Sequence, residues 1–370
     1  MLFFNDPKRK FFNQRDNYVE SLSALLESGS YIKGKCESEF EVKLKKYLNV
    51  EFFSGCASGT DAITLSLISS GIPYGSKVLV PAMTAQASVV AVTRANMIPV
   101  FVDVDKRGLL DIEATELAIK TFEPAAILIV HLYGLTASYE LIKRCQESGI
   151  VVVEDCAQAF GSKFISEEFV GTVGDFGAHS FYPTKNLSTL GDAGGISMNY
   201  DKNRLGKIVK STAEYGWDSQ REVIRDGFNS RIDELHCSII INQLDNFQKQ
   251  SVSKKSVGQR YIEKLSKKDG IQSVASQQDL LRCELHLFSI LIEDPDQVDE
   301  FFRENGIVLG RHYNRSLPSH KRFQEFQFVK VKSKSNACLI AEKQRSLPFF
   351  PFMLEHEIEH VLDVIDEYKK

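Results

Sequence analysis

The chain has 370 residues, 43% hydrophobic and 25% charged, with a formal net charge of −4; that length favours a large domain with a smaller one, and the charge leaves no basic surplus for nucleic acid. No apolar run approaches the roughly 18 residues that span a bilayer, and the charges near the amino end follow a short apolar patch, the reverse of a secretory signal. Seven scattered cysteines without a CxxC pair read as reduced thiols, so a cytoplasmic protein is expected, acting on neither membrane nor nucleic acid.

Between about residues 50 and 155, apolar β-type segments alternate with amphipathic helical ones. Strands are predicted at Val50–Phe53, Lys77–Val80, Pro99–Val102, Ala126–Val130 and Ile150–Val153, and helices at Asp61–Ser70, Ala85–Arg94, Ile112–Thr121 and Tyr139–Glu147. This alternation predicts an α/β fold, a mostly parallel central sheet flanked by helices. Helical spacing returns from Arg231 to about Lys267, and beyond Gly270 shorter strands and helices mix. Two domains are therefore expected: a large one over residues 1–245, with an N-terminal arm, and a small C-terminal α+β domain over 246–370.

Asp155 follows the run Gly149-Ile-Val-Val-Val153, so its carboxylate is expected at the carboxyl end of a buried parallel strand, where open α/β sheets bind ligands. Lys185 lies in Ser180-Phe-Tyr-Pro-Thr-Lys185-Asn-Leu, just ahead of Gly191-Asp-Ala-Gly-Gly195. An amine and a carboxylate converging on one crevice suit pyridoxal 5′-phosphate: the lysine holds the aldehyde as a Schiff base and the carboxylate partners the pyridinium nitrogen. A carboxylate beside that cation should have a lowered pKa. Ser58-Gly59-Thr60-Asp61 opens a predicted helix, where free amides and the helix dipole favour a phosphate. On spacing alone, an ordinary N-cap explains that turn equally well. Cys156, beside Asp155, reads as small buried packing.

His356-Glu-Ile-Glu-His360 fits two zinc-hydrolase patterns. Ile358, Val361, Leu362 and Ile365 nevertheless form an apolar helical face, so packing is the expected role and no metal is predicted.

The ordered motifs resemble the DegT/DnrJ/EryC1/StrS sugar aminotransferases, most closely the sugar-nucleotide 3-aminotransferases. The resemblance runs through Tyr31–Gly34, Ser58–Ala62, Val80–Thr84, Pro99–Asp103, His131–Gly134, Glu154–Ala159, Ser180–Gly195, Gly227–Leu235 and Ser346–Pro348. It implies fold type I and pyridoxal 5′-phosphate, with pyridoxamine 5′-phosphate as the intermediate form. By the same resemblance, Lys185 and Asp155 are catalytic, and Gly59, Thr60 and Ser180 bind the phosphate. Gln158 bonds the ring hydroxyl, and Asn229 reaches the phosphate from the neighbouring subunit of a homodimer with a shared active site. Tyr182, His312 and Tyr313 are the candidate substrate contacts.

L-glutamate, leaving as 2-oxoglutarate, is the implied donor, and a nucleotide-linked keto sugar the acceptor. The run after Lys185 and the pair His312-Tyr313 resemble enzymes that aminate C3, which points to a dTDP-linked 3-keto-6-deoxyhexose destined for a surface glycan such as O-antigen or for a glycosylated metabolite. The alternatives are C4 amination, dehydration, a role other members of this fold take with histidine in place of the lysine, and a non-catalytic sensor. Ala85 departs from the family, which usually stacks an aromatic residue or histidine on the ring there; the Met83 sulfur is a candidate substitute. Asn314 and Ser188 also depart, from the commoner proline and glycine.

Overall fold

A computed structural model of the chain describes residues 1–199 and 205–368. An eight-stranded sheet runs in the order Phe328–Val329, Ile98–Val102, Lys77–Pro81, Ala126–Val130, Val151–Asp155, Phe176–Ser180, Gly194–Met198, Phe52–Cys56. Both pairings of Gly194–Met198 are antiparallel, and the other pairings in this sheet are parallel. The predicted strands and helices of residues 50–155 form close to their expected bounds; Ala126–Val130 and Tyr139–Glu147 match at both ends.

The strands are apolar on both faces because helices cover both. Leu79, Val100, Val102, Ile127, Ile129 and Val152 pack into one core with Ala114, Ala118, Leu141 and Ile142. Their chain neighbours Val78, Val80, Phe101, Leu128, Val130 and Val153 pack into another with Ala62, Leu65, Val89 and Val92. This is the period of two expected of a strand, and each such buried side chain contributes about 1.5–3 kcal/mol. Helix starts are fixed locally: Ser58, Asp111 and Ser138 each accept the amide three residues on.

The Arg231–Lys267 stretch folds as two helices, Glu234–Asp245 and Phe247–Leu265, broken at Asn246. Beyond it, Ile271–Ser273, Phe288–Ile292 and Gln344–Leu347 form an antiparallel sheet. Strand pairing crosses the expected boundary twice: Leu2–Phe3 pairs with Ile307–Val308, and Phe328–Val329 edges the large sheet beside Ile98–Val102. Asp103 fastens the second crossing, accepting from Ser335 Oγ at 2.8 Å and from the amides of Asn336 and Ala337. Among the described residues, no helix is long and apolar enough to cross a membrane.

Candidate active site

A cavity of about 250 Å³ opens where the strands Val151–Asp155 and Phe176–Ser180 end and the helix Gly59–Ser69 begins. Seven expected residues line it: Gly59, Thr60, Asp155, Gln158, Ser180, Tyr182 and Lys185.

One end is built for an anion. Ser58 Oγ caps the Asp61 amide at 3.1 Å, and no intrahelical carbonyl can satisfy the amides of Gly59 and Thr60. Both residues line the cavity, and the helix dipole adds to their pull on negative charge. The glycines make this turn close-packed. A Cβ on Gly59 would stand 2.7 Å from Ser180 Cβ, and one on Gly194 would stand 2.3 Å from the Ser58 carbonyl oxygen. The run Gly191–Gly195 thus lets a strand pass directly beneath the turn. A phosphate group fits this amide-rimmed cradle.

The middle carries a buried carboxylate. Asp155, 6% exposed, accepts from Ser88 Oγ and from the Ala157 amide, each at 3.1 Å. Burial pushes its pKa up, with Ala157, Lys185 and Ser88 opposing. The lowered pKa expected from the sequence belongs to a carboxylate beside a pyridinium cation; in the protein itself, desolvation wins.

Lys185 faces this carboxylate in a turn where its own amide donates to Tyr182 O at 2.8 Å. Burial depresses its pKa to about 8, and the Asp155 charge pulls it back up. An amine tuned this way is a usable nucleophile and proton carrier near neutral pH.

Gln158 is held from two sides, its Oε1 accepting from the Tyr133 amide at 2.7 Å and its Nε2 donating to Tyr313 Oη at 2.8 Å. A primary amide carries two N–H groups, so one remains for a ligand in the cavity. Below lies a buried pair, His131 Nε2 and Glu154 Oε2 at 2.9 Å. Since His131 Nδ1 accepts from the Ala137 amide, Nε2 carries the proton. Glu154 also accepts from the amides of Gly171, Val173 and Gly174. Burial alone would raise its pKa; these donors outweigh it and hold the carboxyl low.

The remaining expected residues stand apart from the cavity lining. Tyr313 reaches its edge through Gln158. His312 sits behind, its Nδ1 3.0 Å from Ser346 Oγ and its pKa pushed down to about 4 by burial and by Lys185. Asn229 lines an adjoining hollow with Arg231 and Asp192, and Asp192 lines the Lys185 cavity as well. Met83 is fully buried in the core, while Ala85 and Ala87 border the cavity, so the proposed sulfur contact finds no support.

In the zinc-like motif the apolar face Ile358, Val361, Leu362 and Ile365 is buried, and its polar residues make surface contacts. His360 Nε2 lies 2.8 Å from Asn305 O, Glu357 pairs with Arg9 and Glu359 with Arg260. The close group His131, Glu154 and Cys156 is fully buried, and its carboxylate is already taken by three amides and the imidazole.

The model of the DegT/DnrJ/EryC1/StrS aminotransferase family matches residues 13–366. The chain belongs to this family. It is 32% identical to a UDP-N-acetyl-3-dehydro-alpha-D-glucosamine 3-aminotransferase of Acidithiobacillus ferrooxidans, over 97% of this chain and 96% of the relative. It is 30% identical to a dTDP-3-amino-3,6-dideoxy-alpha-D-galactopyranose transaminase of Aneurinibacillus thermoaerophilus, over 100% and 99%. Among solved structures, a family aminotransferase from Brucella abortus superimposes with a TM-score of 0.91 at 29% identity, each chain covered to 98%. DesV from S. venezuelae gives 0.92 at 27%, over 100% of this chain and 99% of that one. The fold type I aminotransferase architecture is thereby established.

Within this family framework, several site residues escaped sequence reasoning. Ser88, which holds Asp155, lies in the predicted helix Ala85–Arg94, and Tyr133, whose amide holds Gln158, in the motif His131–Gly134, neither with a sequence signal of its own. Lys10 and Lys254 gave no signal: a lysine in a charged stretch reads as solvated, yet both are buried beneath the Lys185 turn.

Proposed function

We propose that the chain transfers the amino group of L-glutamate to C3 of a nucleotide-linked keto sugar, with a dTDP-linked 3-keto-6-deoxyhexose as acceptor and 2-oxoglutarate as co-product. The observation that carries this reading is the meeting of Lys185, Asp155, Gln158 and the Gly59–Thr60 amides in one cavity. When bound, pyridoxal 5′-phosphate supplies an aldehyde and an electron-withdrawing ring, the chemistry of amino transfer through its pyridoxamine form. The amides of Gly59 and Thr60, with Ser180, hold its phosphate. Asp155 would keep the ring nitrogen protonated, and Gln158 would offer its second N–H to the ring hydroxyl. Lys185 would hold the cofactor through its amine, and with its pKa lowered to about 8 its Nζ could take up and return a proton.

The assembly in this reading is a homodimer, with Asn229 of the partner subunit closing the phosphate end. Tyr182, 48% exposed on the rim, and Tyr313, which reaches the cavity edge through Gln158, receive the sugar, with His312 packed behind them. Retention of Lys185 favours amino transfer over dehydration. Both relatives described above carry position 3 in their names, which supports C3. They differ in nucleotide, and the 32% identity to the UDP-linked one makes a UDP-linked 3-keto sugar the second reading.

The test is the absorption of the cofactor-loaded protein. Glutamate should convert the pyridoxal spectrum to the pyridoxamine one, and one keto sugar should restore it. Supplying dTDP- and UDP-linked 3-keto and 4-keto sugars in parallel identifies both the carbon and the nucleotide. Restoration only by a 4-keto sugar would refute C3 amination, and a spectrum unmoved by any amino donor would refute transamination.

A further inference from the structure

The turn that carries Lys185 is held from beneath by a residue of the N-terminal arm. Lys10, 5% exposed, donates from Nζ to Lys185 O at 2.8 Å, to Asn186 O at 2.7 Å and to Ser188 Oγ at 2.7 Å. An ammonium has three donors, so all of Lys10's are engaged, and two grip main-chain carbonyls of Lys185 and its neighbour. A buried cation is costly, and burial together with the charge of Lys254 pushes the Lys10 pKa well below that of an ordinary lysine. An apolar residue would fill the same volume without that cost but would leave the carbonyls of Lys185 and Asn186 without this donor, so what the lysine offers is specific to the turn it bonds.

The arm is anchored elsewhere as well. Leu2–Phe3 pairs with Ile307–Val308, the Phe4 ring meets His312 edge-on at 4.9 Å, and Arg9 Nη2 bonds Glu357 Oε1 at 2.8 Å. These contacts seat the arm, but Lys10 makes the grip on the Lys185 main chain.

We infer that Lys10 is a positioning residue for Lys185: its hydrogen bonds to the Lys185 and Asn186 carbonyls and to Ser188 Oγ fix the 185–188 turn so that the Lys185 amine is presented to the cofactor aldehyde in one place. This rests on the reading of Lys185 as the cofactor-binding lysine. Misplacement of a reacting amine by about 1 Å costs on the order of a hundredfold in rate. Loss of the grip should therefore slow capture of the aldehyde more than it destabilises the fold.

The experiment uses the full chain freed of cofactor. Pyridoxal 5′-phosphate is added, the bond is reduced with borohydride at timed intervals, and the labelled lysine is located by peptide mass. Lys10→Met should slow labelling of Lys185 by about tenfold to a hundredfold and shift the absorption maximum of the captured cofactor. Arg9→Gln, which loosens the same arm without touching the turn, should label at the wild-type rate. Lys10→Arg, which keeps charge and donors, should recover most of the loss. Lys10→Gln, with two donors left, replaces the methionine variant if that one does not fold.

A wild-type labelling rate in a folded Lys10 variant overturns the inference. Equal slowing by Arg9→Gln also overturns it, because seating of the arm would then suffice. A wild-type label on a lysine other than Lys185 would overturn the assignment of Lys185, and this inference with it.

Discussion

The pKa of Lys185 gives a quantitative handle on the site before any sugar is known. Burial takes it from 10.5 to about 8, with the Asp155 charge pulling back upward. At pH 7 roughly one amine in ten is then neutral, against about three in ten thousand for an unperturbed lysine, an excess of about 300-fold. Reductive methylation of the cofactor-free protein with formaldehyde, followed at the Lys185 peptide across pH 6–11, reads this directly. The rate should level off with a midpoint near 8, while exposed lysines keep rising. Asp155→Asn removes the charge that favours the ammonium, so its midpoint should fall below that of the wild type. A wild-type midpoint near 10.5, or an upward move in Asp155→Asn, would refute the argument that desolvation tunes this amine.

The packing and the buried charges give three further expectations. Gly194→Ala would put a Cβ 2.3 Å from the Ser58 carbonyl oxygen, a strain of roughly 1–3 kcal/mol at the phosphate turn, and equilibrium dialysis should show cofactor affinity lowered by at least about fivefold. Lys254, 8% exposed, has its pKa lowered to about 8 by burial, partly offset by Glu284. Its folded state releases the proton first, so the stability of the wild type relative to Lys254→Met should rise by about 3 kcal/mol between pH 8 and 10.5, measured by urea unfolding. Glu154→Ala strands the imidazole of His131 and three amides, and should cost about 3–5 kcal/mol in the same assay; a loss under about 1 kcal/mol would count against a closed network there.

What the sequence made legible follows the range of the forces involved. Periodicity placed the strands and helices of residues 50–155 because a buried parallel strand and a one-faced helix each carry their pattern within a dozen residues. The same pattern put Asp155 at a strand end, and a local turn exposed the amides of Gly59 and Thr60. The partners that hold these groups lie far off in the chain. Glu234 accepts from the amides of Gly34, Cys36 and Glu37, so two motifs two hundred residues apart are halves of one helix cap. A Cβ on Gly34 would stand 2.7 Å from that carboxylate, which explains the glycine without appeal to chemistry.

The lysines beneath Lys185 are the limiting case. Lys10 sits among charges that suggest solvent, and nothing within ten residues of it supplies an acceptor for its Nζ. Lys254 lies on a helix with polar interruptions, yet donates to Asn186 Oδ1 at 2.9 Å and to Leu285 O. Desolvation opposes both placements, and composition rightly predicts that most such lysines stay outside. They are inside because main-chain carbonyls of the Lys185 turn and its surroundings also need donors, and two lysine amines, from positions 10 and 254, supply them. A position that breaks the burial rule in this way is informative because its compensation is local to the reacting amine: the turn most in need of a fixed geometry is the one held by charge.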